Sequence, residues 1–347
     1  MVHKLMMGGL QLMRIFYSVK TKLHDPLYEI NNGEKIPHPE NPKRVEIILN
    51  ELLKEGFKII EETNSKIPFR LLTQVHNKDF VQFVRHLSNL LKKDERIYPD
   101  VFLREKMGNW KSNLALMGQY SFDVYTPIMN GTYQAAISAA SLSFKGASEV
   151  ANGKEKKVYA LCHPIGHHAL SNKMGGYSYF NNAAIAGEYL SGFGKVAILD
   201  LDFHHGNGTQ EIFYQRDDVL FVSIHADPNV KFPYYWGYKQ EKGKGKGLGY
   251  TINYPLALGT DNNAYQTVLE KAVRNIDIFK PKFLVISLGF DTYKDDPIGG
   301  FRLTTDYYRK MGQTIGRLNI PTVIIQEGGY DLNALGKNVV SFLKGIS

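Results

Sequence analysis

The sequence predicts an α/β domain in which helices cover a mostly parallel β-sheet. Short apolar runs have the length and composition of buried parallel strands, and they lie at residues 157–162, 196–199, 283–290 and 321–326. Stretches of helical composition alternate with these runs, as in a βαβ architecture, and they lie at residues 183–190, 264–279 and 305–318. The 347 residues contain no internal repeat, no Pro/Ser-rich linker and no break in composition, so we expect one domain.

The first of these strands runs into a pair of adjacent histidines. Residues 157–162 are followed by His163, and a glycine turn then leads to His167 and His168. Ligands of open α/β sheets collect just outside the carboxyl ends of the strands, so these imidazoles are candidates for a functional site. Cys162, at the end of the strand, is expected to be a small buried residue rather than a nucleophile.

The second strand ends in a dense polar segment. Asp200, Asp202, His204 and His205 place four ionisable groups within six residues after the run at 196–199. Asp202 and His204 are two positions apart, so their side chains leave the same face of the strand. An oxygen and a nitrogen directed at one point form half of a metal site. A polar strand end that only caps a helix is the alternative, but the density of ionisable groups favours the metal site.

The third and fourth strands end in groups that would complete such a site. Asp291 follows residues 283–290 and is a candidate third metal ligand. Two glycines and Tyr330 follow residues 321–326, and paired glycines allow the backbone to place a tyrosine hydroxyl in a cleft. Each group alone fits a helix cap or a tight turn. Four apolar strands that each end in a chemically apt group indicate one shared site.

Composition excludes several classes of protein. The net charge is +8, but the one dense basic cluster, at 239–246, lacks a phosphate-loop spacing and interleaved aromatic residues, so we expect no nucleic-acid partner. No apolar run reaches the roughly 18 residues of a membrane span, so we expect no membrane association. The single cysteine excludes an intrachain disulfide and favours either a reducing compartment or indifference to the redox state, and we expect a cytoplasmic protein. Residues 1–12 lack a signal-peptide cleavage site and are expected to form a disordered extension.

The strand-end motifs resemble, in their order along the chain, those of the arginase–deacetylase superfamily. They are most similar to the motifs of zinc-dependent deacetylases of the histone deacetylase and acetylpolyamine amidohydrolase type. The motifs that carry the resemblance are Gly166-His167-His168, Asp200-Leu-Asp202-Phe-His204-His205-Gly-Asn207, Leu288-Gly-Phe-Asp291 and Glu327-Gly-Gly-Tyr330. The resemblance implies a three-layer α/β/α domain over residues 13–347 with a mostly parallel sheet of about eight strands, the arginase–deacetylase fold.

The resemblance also implies that Asp202, His204 and Asp291 bind one divalent metal ion per chain and leave positions open for water and a substrate carbonyl. Zn(II) is the expected ion, and Fe(II) or Co(II) could use the same ligands. The metal would lower the pKa of the bound water that attacks the carbonyl, and it would polarise that carbonyl. A potassium ion is implied as well, with ligands from Asp200, Asp202, His204, Ser223 and Ile224.

Further residues receive roles in catalysis from the same resemblance. His168 is expected to act as general base and then as acid, with His167 as its electrostatic partner, and Tyr330 to donate a hydrogen bond to the oxyanion. Asp200 is expected to orient His167. Asn207 stands where some relatives carry an aspartate and is expected to hold His168. As a neutral acceptor, Asn207 leaves the pKa of His168 lower than an acid would.

The expected substrate contacts are two aromatic side chains and one acid. Tyr177 and Phe232 match the aromatic pair that lines the acetyl-bearing chain in relatives, and two facing rings form a slot for a methylene stem. Ordinary core packing is the alternative, but each residue lies in a glycine- or proline-containing loop beside a motif, which favours the slot. Glu29 is a candidate acid for a cationic substrate. His163 replaces the arginine usual in relatives and is expected to fill its structural position.

The segment 98–129 is long and aromatic. In relatives that prefer polyamines, the corresponding loop of a partner subunit shapes the cleft mouth and contributes an acid, but Ala115 and Leu116 stand at that place here. We expect the segment to build a homodimer interface, because it has too many large apolar side chains for a free surface loop. These are Phe102, Trp110, Leu114, Leu116, Tyr120, Phe122 and Tyr125. Packing of the segment on its own core is the alternative.

These expectations describe a metal-dependent hydrolase for the acetyl amide of small acetylated amines, such as acetylputrescine or acetylspermidine. The main alternative is an acetyl-lysine deacetylase on the same fold, and a non-catalytic acyl-binding module is a further one. A ureohydrolase is disfavoured, because Gly206 and Tyr293 occupy positions where a second metal would need acids.

Overall fold

The computed structural model describes residues 13–31, 33–64, 66–103 and 112–347, so the extension predicted at 1–12 lies outside the described residues. The strands, in chain order, are β1 (Arg14–Tyr17), β2 (Tyr28–Asn31), β3 (Glu34–Pro37), β4 (Lys58–Glu61), β5 (Arg96–Ile97), β6 (Ile128–Met129), β7 (Lys157–Ala160), β8 (Val196–Asp200), β9 (Val219–Ala226), β10 (Thr251–Leu256), β11 (Phe283–Leu288) and β12 (Thr322–Gln326). The α-helices are α1 (Lys43–Lys54), α2 (Phe69–Val75), α3 (Lys78–Leu90), α4 (Asn113–Tyr120), α5 (Thr132–Ala151), α6 (Asn182–Ser191), α7 (Asn207–Phe213), α8 (Asn262–Phe279), α9 (Thr305–Gly316) and α10 (Leu335–Ile346). Short 3₁₀ helices occupy Val19–Leu23 and Gly245–Gly247.

A parallel sheet forms the middle layer of the molecule. Among the described residues it has eight strands, in the order β10-β9-β8-β11-β12-β7-β1-β4. Two small antiparallel pairs, β2 with β3 and β5 with β6, lie outside it. The predicted α/β class and the parallel sheet are confirmed.

Helices cover both faces of this sheet, because successive side chains of each strand point to opposite sides. In β8, Val196 and Ile198 belong to one apolar core with α2, α3, α5 and α6. Ala197 and Leu199 belong to a second core with α1, α8, α9 and α10. Burial on both faces explains why the strands are continuous apolar runs rather than alternating ones. None of the helices in the described ranges is long and apolar enough to cross a membrane.

The strands that carry the predicted site residues are neighbours in the middle of the sheet, in the order β8-β11-β12-β7. They are parallel, so their carboxyl ends meet at one edge, where ligands of such sheets bind. β7 ends at Ala160, two residues before its predicted end, because the chain turns there and the Cys162 amide donates to the Ala160 carbonyl at 2.9 Å. Cys162 is buried, as predicted.

Candidate active site

Three potential metal ligands meet where β8 and β11 end. Asp202 and His204 follow β8, and Asp291 follows the neighbouring strand β11. One donor atom of each lies within 4.8 Å of the others, and Nδ1 of His204 is 2.9 Å from Oδ2 of Asp291. The structure therefore brings together the three side chains that the sequence predicts as ligands.

Backbone amides hold the two carboxylates of this cluster. The Gly328 amide donates to Oδ2 of Asp202 at 2.8 Å, and the Phe203 amide donates to Oδ1 of Asp291 at 2.9 Å. A Cβ at Gly328 would lie 2.7 Å from Oδ2 of Asp202, so no side chain fits there. Gly328 is therefore required next to the two acids, which is a constraint separate from the placement of Tyr330.

The donor chemistry of the cluster fits a divalent cation. Asp202 is 1% exposed and Asp291 0% exposed, and burial together with the charge of Asp202 raises the pKa of Asp291 to about 7. A cation offsets this repulsion, and two carboxylates with one imidazole form the open ligand set of a catalytic site. Nε2 of His167 is buried without a hydrogen-bond partner in the described chain and lies 3.7 Å from Oδ1 of Asp202. A further polar atom is thus directed at the cluster.

Two imidazoles beside the cluster differ in charge. Nδ1 of His167 lies 3.1 Å from Oδ2 of Asp200, and Nδ1 of His168 lies 2.7 Å from Oδ1 of Asn207. Burial lowers the pKa of His167, but the charges of Asp202 and Asp200 outweigh it and raise that pKa to about 10. Burial and the neighbouring histidines hold the pKa of His168 well below its usual range. At neutral pH, His168 is a neutral imidazole that can accept a proton.

Two residues that the sequence analysis did not single out hold Tyr330 in place. Asp296 accepts a hydrogen bond from the Tyr330 amide at 2.6 Å. Arg44 of α1 donates to the carbonyl oxygens of Gly329 and Glu327 at 2.7 and 2.6 Å, and its guanidinium lies 4.8 Å from the centre of the Tyr330 ring. Burial raises the pKa of Tyr330 well above its usual range, so its hydroxyl stays protonated and can donate. Neither contact leaves a local signal in the sequence around Tyr330.

The predicted aromatic pair lines a cavity of about 290 Å³ that leads to these groups. The Tyr177 ring centre is 6.2 Å from that of Tyr330, and the Phe232 ring centre is 4.9 Å from that of His168. The ring of Phe122, one of the residues expected at a homodimer interface, stacks on that of Phe232 with 6.1 Å between the ring centres. Tyr177 and Phe232 therefore face the cavity as expected, with Phe122 as an additional support.

Glu29 also lines the cavity, whereas His163 has a different place. Glu29 is 1% exposed, and its Oε2 has no hydrogen-bond partner in the described part of the chain. Burial raises the pKa of Glu29 to about 7. Nδ1 of His163 lies 2.7 Å from Oε1 of Glu40, and its Nε2 lies 3.0 Å from the carbonyl oxygen of His24. His163 thus joins two buried loops and stands away from the metal cluster.

The residues assigned to a potassium ion lie on β8, on β9 and in the segment after β8. Ser223 is paired with Asp200 across these strands, and Ile224 follows it. The Ser223 hydroxyl oxygen already has one polar neighbour, because it lies 2.8 Å from Nδ1 of His225. The potassium ion stays a prediction.

Within the described residues of the segment 98–129, some of the apolar side chains pack on the rest of the chain and others are exposed. Trp110 lies in a stretch outside the described residues. Tyr120 is buried and its ring packs against α3, so for this residue the alternative of core packing is correct. Phe102 and Leu114 remain 47% and 48% exposed. The homodimer interface stays a prediction.

Comparison with known proteins adds an independent line of evidence. The family model described as the histone deacetylase domain matches residues 38–346. The chain belongs to this family. It is 41% identical to acetylpolyamine amidohydrolase 2 of Pseudomonas aeruginosa, over 96% of this chain and 98% of that protein. It is 37% identical to acetylpolyamine amidohydrolase of Mycoplana ramosa, over 96% of this chain and 100% of that protein.

Solved structures agree with this membership. The crystal structure of acetylpolyamine aminohydrolase from Burkholderia pseudomallei superposes with a TM-score of 0.91 at 36% identity, covering 96% of this chain and 98% of that one. The HD domain of HDA15 superposes with a TM-score of 0.81 at 29% identity, covering 96% and 90% of the two chains. The resemblance inferred from the motifs and the arginase–deacetylase fold are confirmed.

Proposed function

We propose that this chain is a metal-dependent hydrolase that removes the acetyl group from small acetylated amines such as acetylputrescine or acetylspermidine. The observation that carries the proposal is the cluster of Asp202, His204 and Asp291 at one end of the aromatic cavity, with His168 and Tyr330 beside it. The names of the similar amidohydrolases support the same substrate class. Family membership supports hydrolysis over a non-catalytic acyl-binding module.

Asp202, His204 and Asp291 would hold the divalent cation, Zn(II) by preference and Fe(II) or Co(II) with the same ligands. Such a cation supplies Lewis acidity, which polarises the acetyl carbonyl and lowers the pKa of a water molecule beside it. Backbone amides from Gly328 and Phe203 keep the two carboxylates oriented toward it.

The chain's own residues would carry out the proton transfers. Neutral His168, held through Nδ1 by Asn207, takes a proton from the attacking water as the new C–O bond forms. The same imidazole returns a proton to the amine nitrogen as the C–N bond breaks, and acetate and the free amine leave. Protonated His167, paired with Asp200, and the Tyr330 hydroxyl stabilise negative charge on the acyl oxygen.

The cavity would select substrates by their shape and charge. Tyr177 and Phe232 enclose a slender methylene stem, and Glu29 offers an unpaired carboxylate oxygen to an ammonium group at its far end. We also propose a homodimer in which the segment 98–129 narrows the mouth of the cavity. The exposed side chains of Phe102 and Leu114 support this assembly.

A kinetic comparison tests the proposed function. The metal-loaded protein is assayed with acetylputrescine, acetylspermidine and an acetyl-lysine peptide, and we expect kcat/KM to be higher for the two small amines. Preference for the peptide would favour the acetyl-lysine alternative, and no turnover of any compound would overturn hydrolysis. Asp202→Asn should abolish turnover, whereas Asp217→Asn, which removes an exposed acid, should not.

A further inference from the structure

A lysine that forms no ion pair with the described residues lines the same cavity. Lys231 directly precedes Phe232, and its ammonium nitrogen lies 5.6 Å from the centre of the Phe203 ring. No carboxylate in the described residues lies within 4.0 Å of this nitrogen. Lys231 therefore contributes to the lining of the cavity a positive charge that no described carboxylate pairs with.

Only one acid that lines the cavity in the described chain is free to oppose this charge. The acidic residues of the lining are Glu29 and Asp202, and Asp202 belongs to the proposed metal site. Glu29 interacts with the Tyr177 side chain, and Lys231 is the residue before Phe232, so both charged residues accompany the aromatic pair in the lining of the cavity. Outside the proposed metal site, the described lining therefore offers one acidic side chain and one lysine to a substrate.

We propose that Lys231 selects substrates by charge: it disfavours a second ammonium group and favours a carboxylate beside the first one. The inference rests on the proposed function and refines its substrate class. The preferred compounds would be acetylated diamines with a single ammonium and ω-acetylated amino acids such as free Nε-acetyl-lysine. In the latter, Glu29 would accept from the ammonium and Lys231 would pair with the carboxylate.

The size of the effect follows from Coulomb's law. Two unit charges about 8 Å apart at an effective dielectric constant of about 20 to 40 change an affinity by about tenfold. The charge of Lys231 lowers the affinity for a substrate with an added ammonium and raises the affinity for one with an added carboxylate. A loss of structure at Lys231 would instead change all substrates in the same direction, so the sign separates the two explanations.

The experiment compares kcat/KM for three compounds: acetylputrescine, spermidine acetylated on its four-carbon arm, and free Nε-acetyl-lysine. Lys231→Met removes the charge and retains a long apolar stem, and Lys231→Arg retains the charge. Relative to acetylputrescine, Lys231→Met should raise kcat/KM for acetylspermidine about tenfold and lower it for acetyl-lysine about tenfold. Lys231→Arg should leave both ratios near those of the wild type. Lys246→Met, at an exposed position that does not line the cavity, is the matched control.

Two outcomes would overturn the inference. One is that Lys231→Met changes all three compounds by the same factor, and the other is that Lys246→Met reproduces its effect. Salt gives a second readout, because the wild-type ratios should move toward those of Lys231→Met in 0.5 M NaCl, where the Debye length is about 4 Å. Failure of the proposed function looks different: the wild type would then hydrolyse none of the three small amines.

Discussion

Replacement of Glu29 by glutamine separates substrate binding from stability at one buried acid. The substitution keeps the size of the side chain and removes its charge. Glu29 is 1% exposed on β2, and burial raises its pKa from 4.5 to about 7, although interactions with Tyr177 and Asn31 oppose part of this rise. The folded chain therefore holds a proton on Glu29 at pH values where the unfolded chain has lost it.

The sign and size of the stability effect follow from this difference in pKa. Between about pH 4.5 and 7 the folded state binds more protons at Glu29 than the unfolded state, so the free energy of unfolding falls as pH rises through this window. Once Glu29 is ionised, this pKa shift lowers the free energy of unfolding by at most about 3 kcal/mol. Glu29→Gln avoids this cost, so the variant should be more stable than the wild type by about 2–3 kcal/mol at pH 8, and the two should be similar at pH 4.5.

The same substitution should weaken the binding of a cationic substrate. A hydrogen bond between charged groups contributes about 1.5–3 kcal/mol, so the KM of Glu29→Gln for acetylputrescine should rise about 10- to 100-fold while kcat changes little. N-butylacetamide has the same stem without the ammonium and should show almost no change in KM. The wild-type KM for acetylputrescine should itself fall as pH rises through about 7, because the carboxyl then ionises.

Urea unfolding at both pH values and steady-state kinetics on the metal-loaded protein measure these effects. Glu34→Gln, at an exposed position of the adjoining strand β3, removes the same charge and should alter neither stability nor KM. The reasoning is refuted if Glu29→Gln is less stable than the wild type at pH 8. It is also refuted if the KM for N-butylacetamide rises as much as the KM for acetylputrescine.

Three further predictions concern the catalytic groups and the assembly. In Tyr330→Phe, the ring should still pack on the Arg44 guanidinium and the protein should still bind its metal. Its kcat should fall about 10²–10³-fold, the usual loss for one oxyanion donor, and a near-wild-type kcat would show that the hydroxyl does not face the carbonyl. Chelation should abolish activity, and elemental analysis should find about one transition metal per chain, as one cluster of three ligands implies; two tightly bound ions would contradict a mononuclear site. Sedimentation should find a dimer at micromolar concentration, and a chain shortened within 98–129 should be monomeric and accept bulkier acetyl-lysine peptides; a monomeric intact chain would refute the interface.

The sequence alone was sufficient for the class of fold and for the identity of the central cluster. Continuous apolar runs that end in Asp202, His204, Asp291 and Tyr330 required strands buried on both faces, because only a parallel sheet covered by helices hides such runs from water. The period of two along a strand end placed Asp202 and His204 on one side. Because the four strands run parallel to one another, their carboxyl ends lie at one edge of the sheet.

The tertiary structure alone decided which distant residues support and surround this cluster. Arg44 contacts the carbonyl of Gly329 across 285 positions of sequence, and no periodicity links a helix near one end of the chain to a loop near the other. The stacking of Phe122 on Phe232 likewise joins two loops that lie far apart in the sequence. The pKa of Glu29 and the uncompensated charge of Lys231 follow from what surrounds these two side chains. Burial and electrostatic environment are properties of the whole packed chain, whereas a sequence motif records only which groups are present and how far apart they stand along one strand or helix.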